Sequence, residues 1–259
     1  MKIYGLQKTS LLDYPEHISS IIFTGGCNFN CPYCQNSELL HPENNLQNEQ
    51  AQHNERSKYT GQVSQIPQEE ILAFLKKRAG ILEGVVITGG EPTLHADLPD
   101  FIQQIRQFHL KIKLDTNGSN PQMLQYLLED QLLDYLAMDV KASPQHYAAA
   151  AGLSTKASAV STKTPSLSTD FLDKIQRSIA LIQNSHLSYE FRTTVVLELH
   201  TLPAFHQLGE LIRGAKLCYL QTFRDCETVS VAGLHPFSEE DMKKAAEILR
   251  LYVQEVRIR

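Results

Sequence analysis

No run of apolar residues in this chain approaches the roughly 18 needed to cross a bilayer, so a membrane-spanning protein is not expected. The opening residues, MKIYGLQKTSLLDYPEH, lack the long apolar core of a secretory signal, and the expected location is the cytoplasm. An excess of basic residues is missing as well. With a net charge of −5 and a pI near 6.1, the chain has no general cationic face for a phosphate backbone. That argues against a nucleic-acid binder but leaves room for a local basic pocket. A disulfide framework is absent too. The cysteines number five, an odd count, and three of them fall within eight residues. In a reducing compartment such a cluster holds a metal more often than it forms bridges.

What the chain does contain is enough apolar material for a core, at 42% hydrophobic against 20% charged residues. Short β-rich runs alternate with amphipathic stretches. The expected strands are 17–24, 84–89, 110–116, 134–141, 189–196 and 217–223. Several carry Val and Ile on both faces, as buried parallel strands do. Helical patterns occupy 67–78, 97–108, 121–133, 171–183 and 238–252. The last begins with Ser238-x-x-Asp241, a capping pattern ahead of its apolar stripe. Repeated strand–helix units imply an α/β fold with a parallel sheet, either doubly wound or a partly closed barrel. Periodicity does not separate the two. Stretches 41–65 and 154–169 are polar, rich in Asn and Gln or in Ser, Thr and Lys, and read as surface insertions. Neither flank has an independent core, so residues 1–259 are expected to form a single domain.

The three clustered cysteines, Cys27, Cys31 and Cys34, follow the first strong strand directly in FTGGCNFNCPYCQN. Functional loops of parallel sheets sit at the carboxyl ends of the strands. Thiolates favour zinc or iron–sulfur clusters. A structural zinc would be closed by a fourth ligand at short spacing, and none follows: His41 and His53 lie in the polar insertion, and Cys218 and Cys226 are distant and read as ordinary thiols. Three ligands on a cubane cluster would leave one iron for an exogenous ligand.

The spacing Cys27-x3-Cys31-x2-Cys34, with the aromatic Tyr33 before the last cysteine, resembles the cluster loop of the radical S-adenosylmethionine (radical SAM) superfamily. The resemblance implies a partial (β/α)6 barrel of parallel strands, a 4Fe–4S cluster on the three cysteines, and S-adenosylmethionine as the ligand of the open iron. Other strand ends agree. Gly89-Gly90-Glu91-Pro92 is by itself a tight turn with exposed backbone groups, and it resembles the family's GGEP motif, which holds the methionine amino group. Asp115, Thr116 and Asn117 end the third strand, and Asp139 and Lys141 the fourth. They resemble the methionine-binding strands of glycyl-radical-enzyme activases, where the counterparts of Asp115, Thr116, Met138 and Asp139 can also surround a monovalent cation. Arg192 lies in a β-branched run, where a guanidinium needs an anion or exposure. The resemblance places it near the nucleotide's carboxylate or ribose, and His200 near the adenosine. Gln221 and Arg224 reach the same edge by strand count.

The layout is most similar to the activating proteins of anaerobic ribonucleoside-triphosphate reductase, through SLLDYPEHISSIIFTGGCNFNCPYCQN, EEILAFLKKRAGILEGVVITGGEPTLH, MDVKA and YEFRTTVV. Two departures stand out, Gln35 where histidine is expected and Gly25 where Gln is common. This resemblance implies one-electron cleavage of S-adenosylmethionine to a 5′-deoxyadenosyl radical that takes a hydrogen atom from a glycine of a partner enzyme. An external donor such as flavodoxin or ferredoxin would supply the electron. The chemistry requires no general acid–base pair, and no such pair stands out in the sequence. Three rival readings remain: a radical SAM enzyme acting on a small molecule, as 7-carboxy-7-deazaguanine synthases do; a non-enzymatic iron–sulfur electron carrier; and a zinc-stabilised α/β protein.

Overall fold

The computed structural model describes residues 1–42, 64–153 and 169–259. The two polar insertions, apart from their ends, lie outside the described residues. Among the described residues, eight strands form one sheet in chain order. Strand β1 (Ile3–Ser10) runs antiparallel to β2 (Ser19–Thr24), and every later neighbour is parallel. These are β3 (Gly84–Gly89), β4 (Lys111–Thr116), β5 (Tyr135–Asp139), β6 (Ser188–Val195), β7 (Leu217–Thr222) and β8 (Glu255–Ile258). The six expected strands are β2 to β7. The expected six-unit barrel is thus extended by an antiparallel strand at one edge and a seventh parallel strand at the other.

The strand order decides what periodicity left open. A doubly wound sheet reverses its order at a switch point, and this one never does. Right-handed crossovers that all step the same way put their helices on one face, which is the winding of a barrel. It stays open, because the edge strands β1 and β8 do not pair with each other.

Alternate side chains of each strand point to opposite faces. Ile22, Ile87, Leu114, Met138, Phe191 and Leu220 point to the helix side and join the main core. They pack there with residues of α1 (Gln68–Arg78), α2 (Leu98–Arg106), α3 (Pro121–Glu129) and the short α4 (Tyr147–Ala150). Helices α5 (Thr169–Gln183), α6 (Ala204–Leu211) and α7 (Glu239–Leu249) complete the layer. The Ser238 hydroxyl accepts from the Asp241 N–H at 3.1 Å, so the expected cap of α7 is present. The opposite face of the sheet carries only a small apolar cluster of Tyr14, Ile21 and Val86. Phe23 and Tyr135 pack against it, and toward the carboxyl ends this face carries Thr88, Asp115, Asp139, Arg192 and Gln221. Among the described residues, no helix is long and apolar enough to cross a membrane.

Register brings the strand ends level. Thr24 pairs with Gly89, Thr116 with Met138, and Asp139 with Arg192. At the β3 end the chains approach so closely that a Cβ on Gly90 would sit 2.0 Å from the Gly26 carbonyl oxygen. Backbone cannot yield cheaply there. Gly90→Ala is expected to destabilise the fold by about 2–3 kcal/mol, whereas Gly80→Ala, which meets nothing within 4 Å, should stay within about 0.5 kcal/mol. Urea unfolding of the two variants checks the contrast, and equal midpoints would contradict it.

Candidate functional site

The cysteine loop leaves β2 through Gly25 and Gly26, the latter at φ +89°, a conformation that favours glycine. Three backbone hydrogen bonds fix it. The Gly26 N–H donates to Leu39 at 2.8 Å, the Asn30 N–H to Ala151 at 3.0 Å, and the Glu91 N–H donates back to the Gly26 carbonyl at 2.8 Å. The glycine at position 25 has a local cause. A Cβ there would lie 2.3 Å from the ring of Tyr4, so the antiparallel edge strand occupies the space a side chain would need. Gln35 also has a contact of its own: its amide donates to the Arg224 carbonyl at 3.1 Å, tying the cysteine loop to the segment after β7. The Thr228 hydroxyl donates to the Gln35 carbonyl at 2.5 Å.

Cys27, Cys31 and Cys34 all line one cavity of about 340 Å³ at the carboxyl ends of the strands. Tyr33, Gly89, Gly90, Glu91, Asp115, Thr116, Asn117, Asp139, Lys141, Arg192 and Gln221 line it too. His200 does not. It is buried, with Nε2 2.9 Å from the Lys141 carbonyl oxygen, and burial lowers its pKa. Its place is beneath the β5 end, as a support. Cys218 is buried in the helix-side core, where burial pushes its pKa up to about 12. Cys226 is exposed, and Arg224 meets the cysteine loop through its backbone carbonyl.

Burial pushes the Cys27 thiol up to about 12 and raises Cys31 and Cys34 as well. These thiols are not prepared as nucleophiles. A bound metal's charge would be needed to hold them as thiolates. Among the described residues, no three His, Cys, Asp or Glu side chains converge closely enough to hold a single metal ion. The three thiols line one cavity. A three-thiol donor set facing a shared cavity fits an iron–sulfur cluster with one iron left to another ligand.

A chain of charges lines the same cavity. Arg192 donates from Nε to Asp139 Oδ1 at 2.8 Å and from Nη1 to Asp115 Oδ2 at 2.9 Å. Lys113 donates to Asp115 Oδ1, and Lys141 to Asp139 Oδ2 at 3.0 Å. Burial alone would raise both carboxylates, but the facing Arg192 outweighs it, with Lys113 on Asp115 and Lys141 on Asp139. Both are held below the usual range. Three cations therefore share these two carboxylates, and Lys141 and Arg192, which line the cavity, keep further N–H donors for an anionic ligand group. Lys113 was not singled out by the sequence reading. The signal was a lysine two positions before Asp115 in a strand, which period-two alternation places on the same face.

Glu91 is fully buried and accepts from the Thr93 N–H, the Thr93 hydroxyl, the Thr116 hydroxyl and the Asn117 N–H, at 3.1, 2.5, 2.7 and 2.6 Å. Its carboxylate is thereby committed to joining the loops after β3 and β4. Asn117 extends that link, donating to the Asn28 Oδ1 at 3.0 Å and approaching the Cys27 sulfur at 3.9 Å.

Comparison with known proteins agrees with this arrangement. The family model described as the radical SAM superfamily matches residues 21–158, just over half of the chain. A protein of Methanocaldococcus jannaschii, provisionally named a glycyl-radical enzyme activating enzyme, is 26% identical over 99% of this chain and 95% of its own length. A provisionally named GTP 3′,8-cyclase of Pyrococcus abyssi is 32% identical, but over only 44% of this chain and 31% of its own. Among solved structures, Streptococcus suis SuiB bound to precursor peptide SuiA is similar in fold, with a TM-score of 0.62 and 10% identity. That match covers 92% of this chain and 48% of SuiB, so the chain spans about half the length of that structure.

The charge chain makes its own prediction. Arg192→Met leaves two partly buried carboxylates short of a shared cation and should cost about 3 kcal/mol of stability. Both carboxylates have folded pKa values below their unfolded ones, so the stabilisation is present above about pH 4 and lost as pH falls. The gap between wild type and variant should be widest near neutrality and narrow in acid. Urea unfolding across pH measures it, and a gap independent of pH would contradict the ionised network.

Proposed function

The chain belongs to the radical SAM superfamily, and within it we propose that it is a glycyl-radical-enzyme activase, with anaerobic ribonucleoside-triphosphate reductase as its partner. The observation that carries this reading is one cavity lined by three thiols together with Lys141, Arg192 and their paired carboxylates. Its two walls suit the two halves of one task. Cys27, Cys31 and Cys34 would hold a 4Fe–4S cluster, which when bound supplies the electron that cleaves S-adenosylmethionine reductively to methionine and a 5′-deoxyadenosyl radical. Lys141 and Arg192 would receive the methionine carboxylate by charge-assisted hydrogen bonds. Asp139 would balance the ligand's ammonium and sulfonium charges. The backbone of Gly89 and Gly90 borders the same space, where absent side chains let a ligand come close. Glu91 acts one step back, fixing the loops that carry Thr116 and Asn117.

An activase is favoured over a small-molecule enzyme by the relative that matches along nearly the whole of both chains. The cyclase likeness spans less than half of this one. Turnover of a free substrate, of the kind 7-carboxy-7-deazaguanine synthases carry out, is the alternative. An electron carrier leaves the charged cradle without a task. We further read the chain as one catalytic domain that draws its electron from a flavodoxin or ferredoxin.

Anaerobic reconstitution with iron and sulfide, followed by dithionite and S-adenosylmethionine, is expected to yield 5′-deoxyadenosine, and Cys31→Ala to abolish it. Retained activity in that variant would contradict the cluster assignment. Adding anaerobic ribonucleotide reductase should then produce a glycyl radical visible by electron paramagnetic resonance. Absence of that signal alongside turnover of a small molecule would favour the alternative.

A further inference from the structure

In glycyl-radical activases the counterparts of Asp115, Thr116, Met138 and Asp139 can surround a monovalent cation, and this chain has all four. Their surroundings do not fit one. Asp115 has one oxygen on Lys113 and the other on Arg192. Asp139 has one on Arg192 and the other on Lys141. The Thr116 hydroxyl donates to Glu91 at 2.7 Å. Met138 is fully buried and belongs to the helix-side core. The four bonds of Glu91 occupy its carboxylate as well. A metal ion would therefore have to displace ammonium or guanidinium groups already seated on every oxygen of Asp115 and Asp139, where water screens poorly.

Lys113 tips this balance. It is 2% exposed in mid-strand, with its ammonium on Asp115 and 5.9 Å from the centre of the Tyr135 ring. A lysine so enclosed is seldom found without such partners. It does not line the cavity. Its contact is with Asp115, which in turn holds Arg192.

We infer that the Lys113 ammonium is a tethered substitute for the monovalent cation, so that this protein binds S-adenosylmethionine without sodium or potassium. Lys113 is a positioning residue: it fixes Asp115, and through it the guanidinium that meets the ligand. The inference rests on the proposed nucleotide site, and the test separates the two.

Calorimetric binding of S-adenosylmethionine to the cluster-loaded protein is measured in potassium, sodium and choline chloride at one ionic strength. Wild type is expected to bind within about twofold in all three salts. Lys113→Met should lose about tenfold or more in choline and recover in potassium or sodium, and Lys113→Arg should stay insensitive to the salt. Wild-type binding that requires an alkali cation would overturn the inference. So would a Lys113→Met defect equal in all three salts, which marks a merely structural lysine. The thermal midpoint of cluster-free wild type gives a second reading. It should not rise on replacing choline by potassium, and a rise would reveal a cation site. Wild type that binds no S-adenosylmethionine in any salt would remove the nucleotide site itself and the inference with it.

Discussion

Two carboxylates on adjacent strands of one sheet, both partly buried, repel each other unless something lies between them. Arg192 does so. Its fork spans Asp115 at the end of β4 and Asp139 at the end of β5, and a planar guanidinium is suited to that bridging where a lysine is not. The register of β5 against β6, which pairs Asp139 with Arg192, sets the bridge in place before any ligand arrives. Once it stands, Lys113 and Lys141 complete the set, one on each carboxylate.

The cysteine side of the cavity works by different physics. The cysteine loop is held by backbone hydrogen bonds to three other segments, and its thiols are left in surroundings that disfavour thiolate. Such a loop gains little from empty sulfurs and much from a metal group that takes their protons' place. Glu91 and Asn117 join the walls, one through four accepted hydrogen bonds and the other through Asn28 and the Cys27 sulfur. A rigid sheet edge thus presents a redox group and a charged ligand to each other across a fixed space.

The parallel strands β2 to β7 were legible because central strands bury both faces and so appear as apolar runs. The edges were not. β1 is half polar, and β8 has four residues of which only Val256 is buried. Helix α6 was missed because it is short and contains Gly209. A Cβ at that position would meet the Tyr252 ring at 2.4 Å, a need that only packing reveals. The cysteines, GGEP and the charged strand ends could be assigned to one edge of the sheet from strand position, and the structure gathers them around one cavity. Roles set by three-dimensional partners could not be assigned that way. Glu91 proved to be a bracket between loops, His200 a support under Lys141, and Lys113 a partner of Asp115. The tethered lysine also alters the cation expectation drawn from Asp115, Thr116, Met138 and Asp139, because a compensating charge two residues from Asp115 reached its carboxylate from the same strand.

The central claim is that this cavity recognises the carboxylate of a methionine-bearing nucleotide. The most direct measurement compares the affinity of the reconstituted protein for S-adenosylmethionine and for its decarboxylated analogue, which differ in that group alone. The account expects the analogue to bind about tenfold or more weakly, as loss of charge-assisted hydrogen bonds implies. Equal affinities would contradict it, because the charged wall would then have no part in binding.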